Sequence, residues 1–221
     1  MSCSMATPPI VDRPVVIVIE MARTRRDQAP GRPSREAFVH ATARLLQQQG
    51  YNATGVNEIV ARSGAPKGSL YFHFPGGKEE LAIQAMMSSG ERLRGSIAAI
   101  LAPSESLGDS LGRLVDALAA GLESSNFELG CPIATVTLEV ASGSAAVRAT
   151  AGAVFASWLE VLEERLCAAG LGAAEAKRRA LFVLAAIEGA LILARAAGDL
   201  APLEAVREEL AQVSADRERT I

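Results

Sequence analysis

From Ser34 onward, apolar residues return at intervals of three and four, the period that lines one face of an α-helix, and Gly or Pro separates the repeats. The segment SREAFVHATARLLQQQG opens on Ser34 as an N-cap with an acid in its first turn. It carries Phe38, Ala41, Leu45 and Leu46 on one broad face and stops at Gly50, so it reads as a first helix. TGVNEIVARSG repeats the pattern in miniature, with Thr54 as cap, Val56, Ile59 and Val60 facing inward, and Gly64 as the stop. Pro66 suits the first position of a third helix, KGSLYFHF, because its missing N–H would be unpaired there anyway. Three short helices joined by tight turns make a helix-turn-helix unit.

The pattern continues in longer pieces. A helix is expected from about Lys78 to Leu101, ended by Pro103. ESLGDSLGRLVDALAAGLES follows, with Leu107, Leu111, Leu114 and Leu118 forming one stripe. Cys131 and Pro132 open a mixed helix through Val140. SAAVRATAGAVFASWLEVLEERLCAAG forms a long one, and AEAKRRALFVLAAIEGALILARAAG, nearly apolar through its middle, pairs with the final PLEAVREELAQV. Composition agrees: hydrophobic residues make up 49% of the chain but aromatics only 4%. Ala, Leu and Gly dominate, without the β-branched and aromatic enrichment of sheets. The expected fold is all-α, and 221 residues suffice for one large or two small domains. The division is 1–30 as a disordered or basic N-terminal extension, 31–78 as the helix-turn-helix domain and 79–221 as a helical body. In the extension, PVVIVIE is shorter than the roughly 20 apolar residues of a membrane span and lacks the flanks of an export signal. Met21, opening MARTRRDQAPGRPSREAF, reads as an alternative start.

Charge changes the picture. The chain carries a net −3, yet nine Lys and Arg face three Asp and Glu between Arg23 and Lys78, whereas from Glu79 onward the ratio is twelve to twenty. A basic end on an acidic body points to a polyanion at that end; a merely solvated charged face is the plainer alternative. A second helix-turn-helix helix that enters the major groove aims its N-terminal end at DNA, where free N–H groups and the helix dipole favour phosphate. Lys67 adds charge there, Gly68 allows close backbone approach, and Ser69 can donate or accept. Leu70 and Phe74, four apart, face the core, which leaves Tyr71 and His73 to turn their polar tips toward the sugar-phosphate backbone.

TGVNEIVARSGAPKGSLYFHF followed by GGKEEL resembles the DNA-binding segment of the TetR family of bacterial transcriptional repressors over about fifty residues. The resemblance implies base-edge or near-base roles for Asn57, Lys67, Gly68 and Ser69, and phosphate roles for Thr54, Tyr71, His73 and Lys78. Two departures stand out: Pro66 occupies a position at which many members carry a hydroxyl, and FPGGK is one residue longer than the common connection before the fourth helix. GCPIATVTLE, from Gly130, resembles the LmrA/YxaF-type branch, whose members respond to lincomycin-like antibiotics or flavonoids. A ligand-responsive repressor is therefore expected. It would act as a homodimer on double-stranded DNA bearing an inverted repeat, with the fourth helix as the only direct link between its halves. The alternative is an all-helical small-molecule or protein interaction module without DNA binding.

Phe127, Cys131, Glu139, Phe155 and Trp158 are the aromatic, polar or polarizable residues of the central helices. They are the candidate pocket for a small hydrophobic or amphipathic ligand, although each could equally be core. Ala186, Gly189, Ala190, Leu193 and Leu203, in and after the most apolar helix, are the candidate dimer contacts, because small residues allow close helix approach and an apolar face left open would be sticky.

No enzyme is expected. His40 and His73 are the only histidines, and no G-x-S-x-G occurs. GLGAAE at Gly170 lacks a preceding strand, and PGGKEE lacks the spaced first glycine and the hydroxyl residue of a P-loop. Glu163 and Glu164 read as a solvated helix face. Cys3, Cys131 and Cys167 are odd in number and lack metal-ligand spacing, as expected of a reduced, cytoplasmic protein without metal or cofactor.

Overall fold

The computed structural model describes residues 34–102 and 106–218, with side chains to 212; residues 1–33, on which the expected extension falls, lie outside it. Nine helices occupy the described residues, and the fold is all-α as the sequence indicates. The small N-terminal unit comprises α1 (Ser34–Ala53), α2 (Val56–Ser63) and α3 (Lys67–His73). Phe38, Leu45, Leu46, Ile59, Leu70 and Phe74 close its core, with Phe38 and Phe74 edge to face at 6.3 Å. Three details of the helix ends differ from expectation. Backbone at Gly50 leaves helical geometry (φ 78°, ψ −176°), so it kinks α1 rather than ending it. Thr54 does not cap α2: the cap is Gly55, while the buried Thr54 hydroxyl donates to the Gly50 carbonyl at 2.6 Å across that kink. Pro66 is the cap of α3 rather than its first residue, since its ψ of 131° is extended, and its carbonyl accepts from both the amide and the hydroxyl of Ser69.

The body comprises α4 (Gly77–Ile100), α5 (Leu107–Ser124), α6 (Pro132–Val140), α7 (Ala145–Ala168), α8 (Ala173–Ala197) and α9 (Ala201–Glu218). Their starts follow the sequence chemistry. Ser106 and Ser144 cap α5 and α7 through their hydroxyls, and the Cys131 sulfur accepts from Ala134 N at the head of α6, with Pro132 in the first turn. α4 packs against α1 on one side and α7 on the other, α6 bridges α1 and α7, and α9 lies along α5 and α8. At the α4–α7 crossing the backbones come close at Gly90, where a Cβ would press on Val154; the Gly90 carbonyl accepts from Trp158 Nε1 at 2.9 Å.

Candidate functional site

On the N-terminal unit, burying Leu70 and Phe74 turns the opposite edge of α3 outward. Pro66, Lys67 and Gly68 are exposed, and a Cβ at Gly68 would meet nothing within 4 Å. Tyr71 is exposed, Ser69 and His73 are half-buried, and Asn57, in the first turn of α2, is exposed. These seven residues thus keep exposed or half-buried surface on α2 and α3 of the unit. Two residues expected to meet phosphate are placed differently. Thr54 has no exposed surface, because its hydroxyl is spent on the Gly50 carbonyl. Lys78, the second residue of α4, holds its ammonium over the Tyr51 ring at 4.2 Å; burial lowers its pKa, and the nearby Glu139 charge opposes that shift. Burial likewise raises the Tyr51 phenol, with Glu79 adding to it. The sequence reading passed over Phe72, which is 81% exposed beside His73 with ring centroids 5.2 Å apart. Its position between Tyr71 and His73 was the available signal.

In the body, residues of α1, α4, α5, α6, α7 and α8 line a partly open cavity of about 80 Å³. Of the five candidate pocket residues, Cys131 and Trp158 are in its wall. The other three candidates are not. Phe155 stands behind the indole, edge to face with Trp158 at 5.4 Å. Phe127 turns away through a left-handed backbone (φ 60°) after α5 and packs on the core from outside. Glu139 sits near the far end of α6 from Cys131, exposed, where it accepts the Asn52 amide at 2.7 Å. Gln47 and Glu188 are the polar lining residues that sequence reasoning missed. Glu188 had a signal, being the sole charge in the run from Leu181 to Ala194. Burial pushes its carboxyl above the usual range, against the hydrogen bond from Cys131; burial, then the Glu188 charge, pushes the Cys131 thiol well up.

The presence of Gln47 in the cavity wall also corrects the expectation that α4 alone joins the halves. Besides the Glu139–Asn52 contact, Gly130 N donates to the Gln47 carbonyl at 3.4 Å, and Arg195, from α8, donates to the Gln48 carbonyl at 3.1 Å. The end of α1 is thus held by α6, α8 and the loop before α6.

Two apolar helices remain partly uncovered. α7 and α8 are long and apolar enough to cross a bilayer by length and composition, yet only 33% and 28% of their most apolar windows are buried in the protomer. Leu181, Phe182, Ile192 and Leu193 stand exposed on α8. Of the expected dimer contacts, Leu193 belongs to this face and Ala186 and Gly189 are half-buried beside it. Ala190 and Leu203 are spent in the protomer's own core, where α8 and α9 pack together, and are removed from the candidate interface.

Comparison with known proteins places both halves. Residues 38–85 match the family model described as bacterial regulatory proteins, tetR family, and residues 108–209 match the LmrA/YxaF-like transcriptional regulator C-terminal domain. The HTH-type transcriptional regulator LmrA of Bacillus subtilis is 36% identical over 170 residues, 77% of this chain and 90% of that protein. An uncharacterized HTH-type transcriptional regulator of Mycobacterium tuberculosis is 35% identical over 181 residues, 80% and 91% of the two chains. The crystal structure of a TetR transcriptional regulator from Legionella pneumophila superposes with a TM-score of 0.75 at 23% identity, covering 84% of this chain and all of that one. These relatives are transcriptional regulators, and the expectation that the chain is not an enzyme rests on them.

Proposed function

Because the chain belongs to the TetR family of bacterial transcriptional regulators, we propose that it is a ligand-responsive repressor that binds an inverted-repeat operator as a homodimer in the cytoplasm. The observation that carries this reading is a juxtaposition: α3 offers Lys67, Gly68 and Tyr71 to solvent, while Gln47, on α1 of the same unit, forms part of the wall of an interior cavity. In this reading Asn57, Lys67, Gly68 and Ser69 meet or approach base edges, and Tyr71 and His73 meet phosphates. In this reading the effect on transcription comes from occupying the operator against polymerase.

The exposed apolar faces of α7 and α8 support self-association, two helices from each protomer making a four-helix bundle. Two reading units in one dimer enter major grooves roughly 34 Å apart or a multiple of that. A ligand in the cavity touches α1 through Gln47 and α4 through Leu93 and Ile97, so it biases the spacing of the reading units through two elements at once. Release follows only if the ligand binds the DNA-incompetent spacing more tightly, since equal affinity shifts nothing.

A salt titration of the full chain on DNA flanking its coding region, followed by fluorescence anisotropy, tests the reading. With about three phosphates neutralised per subunit, affinity falls on the order of a thousandfold between 50 and 200 mM salt. Absence of salt-sensitive binding to any fragment would favour an interaction module that does not use DNA.

A further inference from the structure

The cavity has an unusual balance. Leucine, isoleucine and proline side chains, glycines and the Trp158 ring make up nearly all of its wall, and the polar side chains in it are Gln47, Cys131 and Glu188. Cys131 is fully used: its sulfur accepts from Ala134 N at 3.5 Å, and its thiol hydrogen bonds with the Glu188 carboxyl. Glu188 is not. Its Oε2 is buried with no hydrogen-bond partner, in a cavity with no Lys or Arg in its wall. A buried acceptor left unpaired costs about 1–3 kcal/mol and more if charged, and packing does not require it, because an apolar side chain would complete the wall. The carboxyl is therefore explained by something that enters the cavity and brings a donor.

Two kinds of donor could meet that oxygen, a neutral hydroxyl or an ammonium. The surroundings favour the ammonium. A charge-assisted hydrogen bond is roughly twice as strong as a neutral one, the low-dielectric wall strengthens it further, and no other cation in the wall competes for the carboxylate. The indole of Trp158 adds a second surface that attracts a cation. The leucine-rich remainder of the wall demands a hydrocarbon body.

We propose that the ligand of this cavity is a hydrophobic amine, held as a monocation with its ammonium on the free Glu188 oxygen and its hydrocarbon against the leucines. The proposal rests on the reading of the body as a ligand-responsive unit and adds the chemical class. It also gives the buried acid its function: the protein leaves an acceptor unpaired so that a cation, rather than any apolar molecule of the right size, completes the wall.

The chain's single tryptophan lies in the cavity wall, so its fluorescence reports binding without DNA. Three probes of one shape isolate the charge: 4-phenylbutylamine, 4-phenylbutan-1-ol and 4-phenylbutyrate. The amine is expected to bind about tenfold more tightly than the alcohol, a difference of about 1.4 kcal/mol, and the carboxylate weakest of the three. In Glu188→Gln the amine loses that advantage while the alcohol binds as before. Equal binding of amine and alcohol by the wild type, no binding of any probe, or an amine preference that survives Glu188→Gln would each overturn the proposal. The wild-type comparison needs no variant, so a folding defect in Glu188→Gln does not blunt it. Operator release is measured separately: an amine that binds through Glu188 without releasing DNA leaves the ligand class standing and removes the regulatory reading.

Discussion

At the scale of single residues, the proposed roles of Gly68 and Glu188 set stability against function in opposite halves of the chain. Gly68 costs α3 about 1 kcal/mol relative to alanine, and an added Cβ there meets nothing in the protomer. Gly68→Ala is therefore expected to raise the melting temperature slightly yet weaken operator binding, because the methyl would stand where, in the proposed reading, the backbone approaches the duplex. Unchanged DNA affinity in an anisotropy titration would take Gly68 out of the contact surface. Glu188 makes the converse case. Its folded-state pKa is raised by burial, so its proton is held more tightly in the folded than in the unfolded chain. The stability linked to it is complete below the ordinary carboxyl range and is lost as pH rises through the raised folded value. Without ligand, wild-type protein should accordingly lose melting temperature relative to Glu188→Gln as pH climbs above the ordinary carboxyl range. Parallel melting curves for the two proteins would show that the carboxyl is not desolvated.

At the scale of elements, the proposed response to ligand depends on how α1 is attached to the body. Gly50 adopts φ 78° and ψ −176°, a region essentially confined to glycine, and a Cβ there would overlap the Glu139 carboxylate. Gly50→Ala should cost about 1–3 kcal/mol by thermal or denaturant melting. Glu139→Ala is the gentler cut: it frees the Asn52 amide, which is exposed and can turn to water, so the fold should survive. The predicted change is in coupling, a roughly fivefold weaker effect of bound ligand on operator affinity, or about 1 kcal/mol. Coupling unchanged in this variant would take the Glu139 contact out of the linkage and leave it to α4 and the Gly130 and Arg195 contacts on the end of α1. This is also where the sequence was least readable. Helix starts and periodic faces follow from local chemistry, so Ser144, Cys131 and Pro132 marked helices, and the inward turn of Leu70 and Phe74 followed from four-residue spacing alone. The partner that Glu139 finds lies 87 positions away and has no local sign. For the same reason Phe155 and Phe127 passed as pocket residues: period places a side chain on a face but does not say which neighbour that face meets. Thr54 failed differently, because the kink at Gly50 supplied a closer acceptor than any helix end. Glu188 was legible in principle, as a lone acid within an apolar helix, but only its place in the cavity wall gives that oddity its chemistry.

At the scale of the whole molecule, one protomer presents one reading unit, and in the proposed reading its affinity for an inverted repeat depends on being tied to a second. The tie is expected through α7 and α8, whose apolar windows are mostly uncovered, and Leu193, 61% exposed near the end of α8, stands on that face. Leu193→Glu places a carboxylate where two protomers would exclude water, a burial that neither partner can compensate without a nearby cation. In the isolated protomer the same change is at an exposed position and should alter stability by no more than about 0.5 kcal/mol. Sedimentation of the variant should therefore give a folded monomer. Its operator affinity should fall by about a hundredfold or more, because linking two reading units makes the second binding event intramolecular. Leu138→Glu provides the control: Leu138 is also an exposed apolar side chain, but it lies on α6, outside the α7–α8 surface. It should leave both the dimer and the operator affinity as they are. If Leu193→Glu instead remained dimeric with full affinity while Leu138→Glu dissociated, the interface would lie across α6, and the geometry that relates the two reading units would have to be rebuilt around that helix.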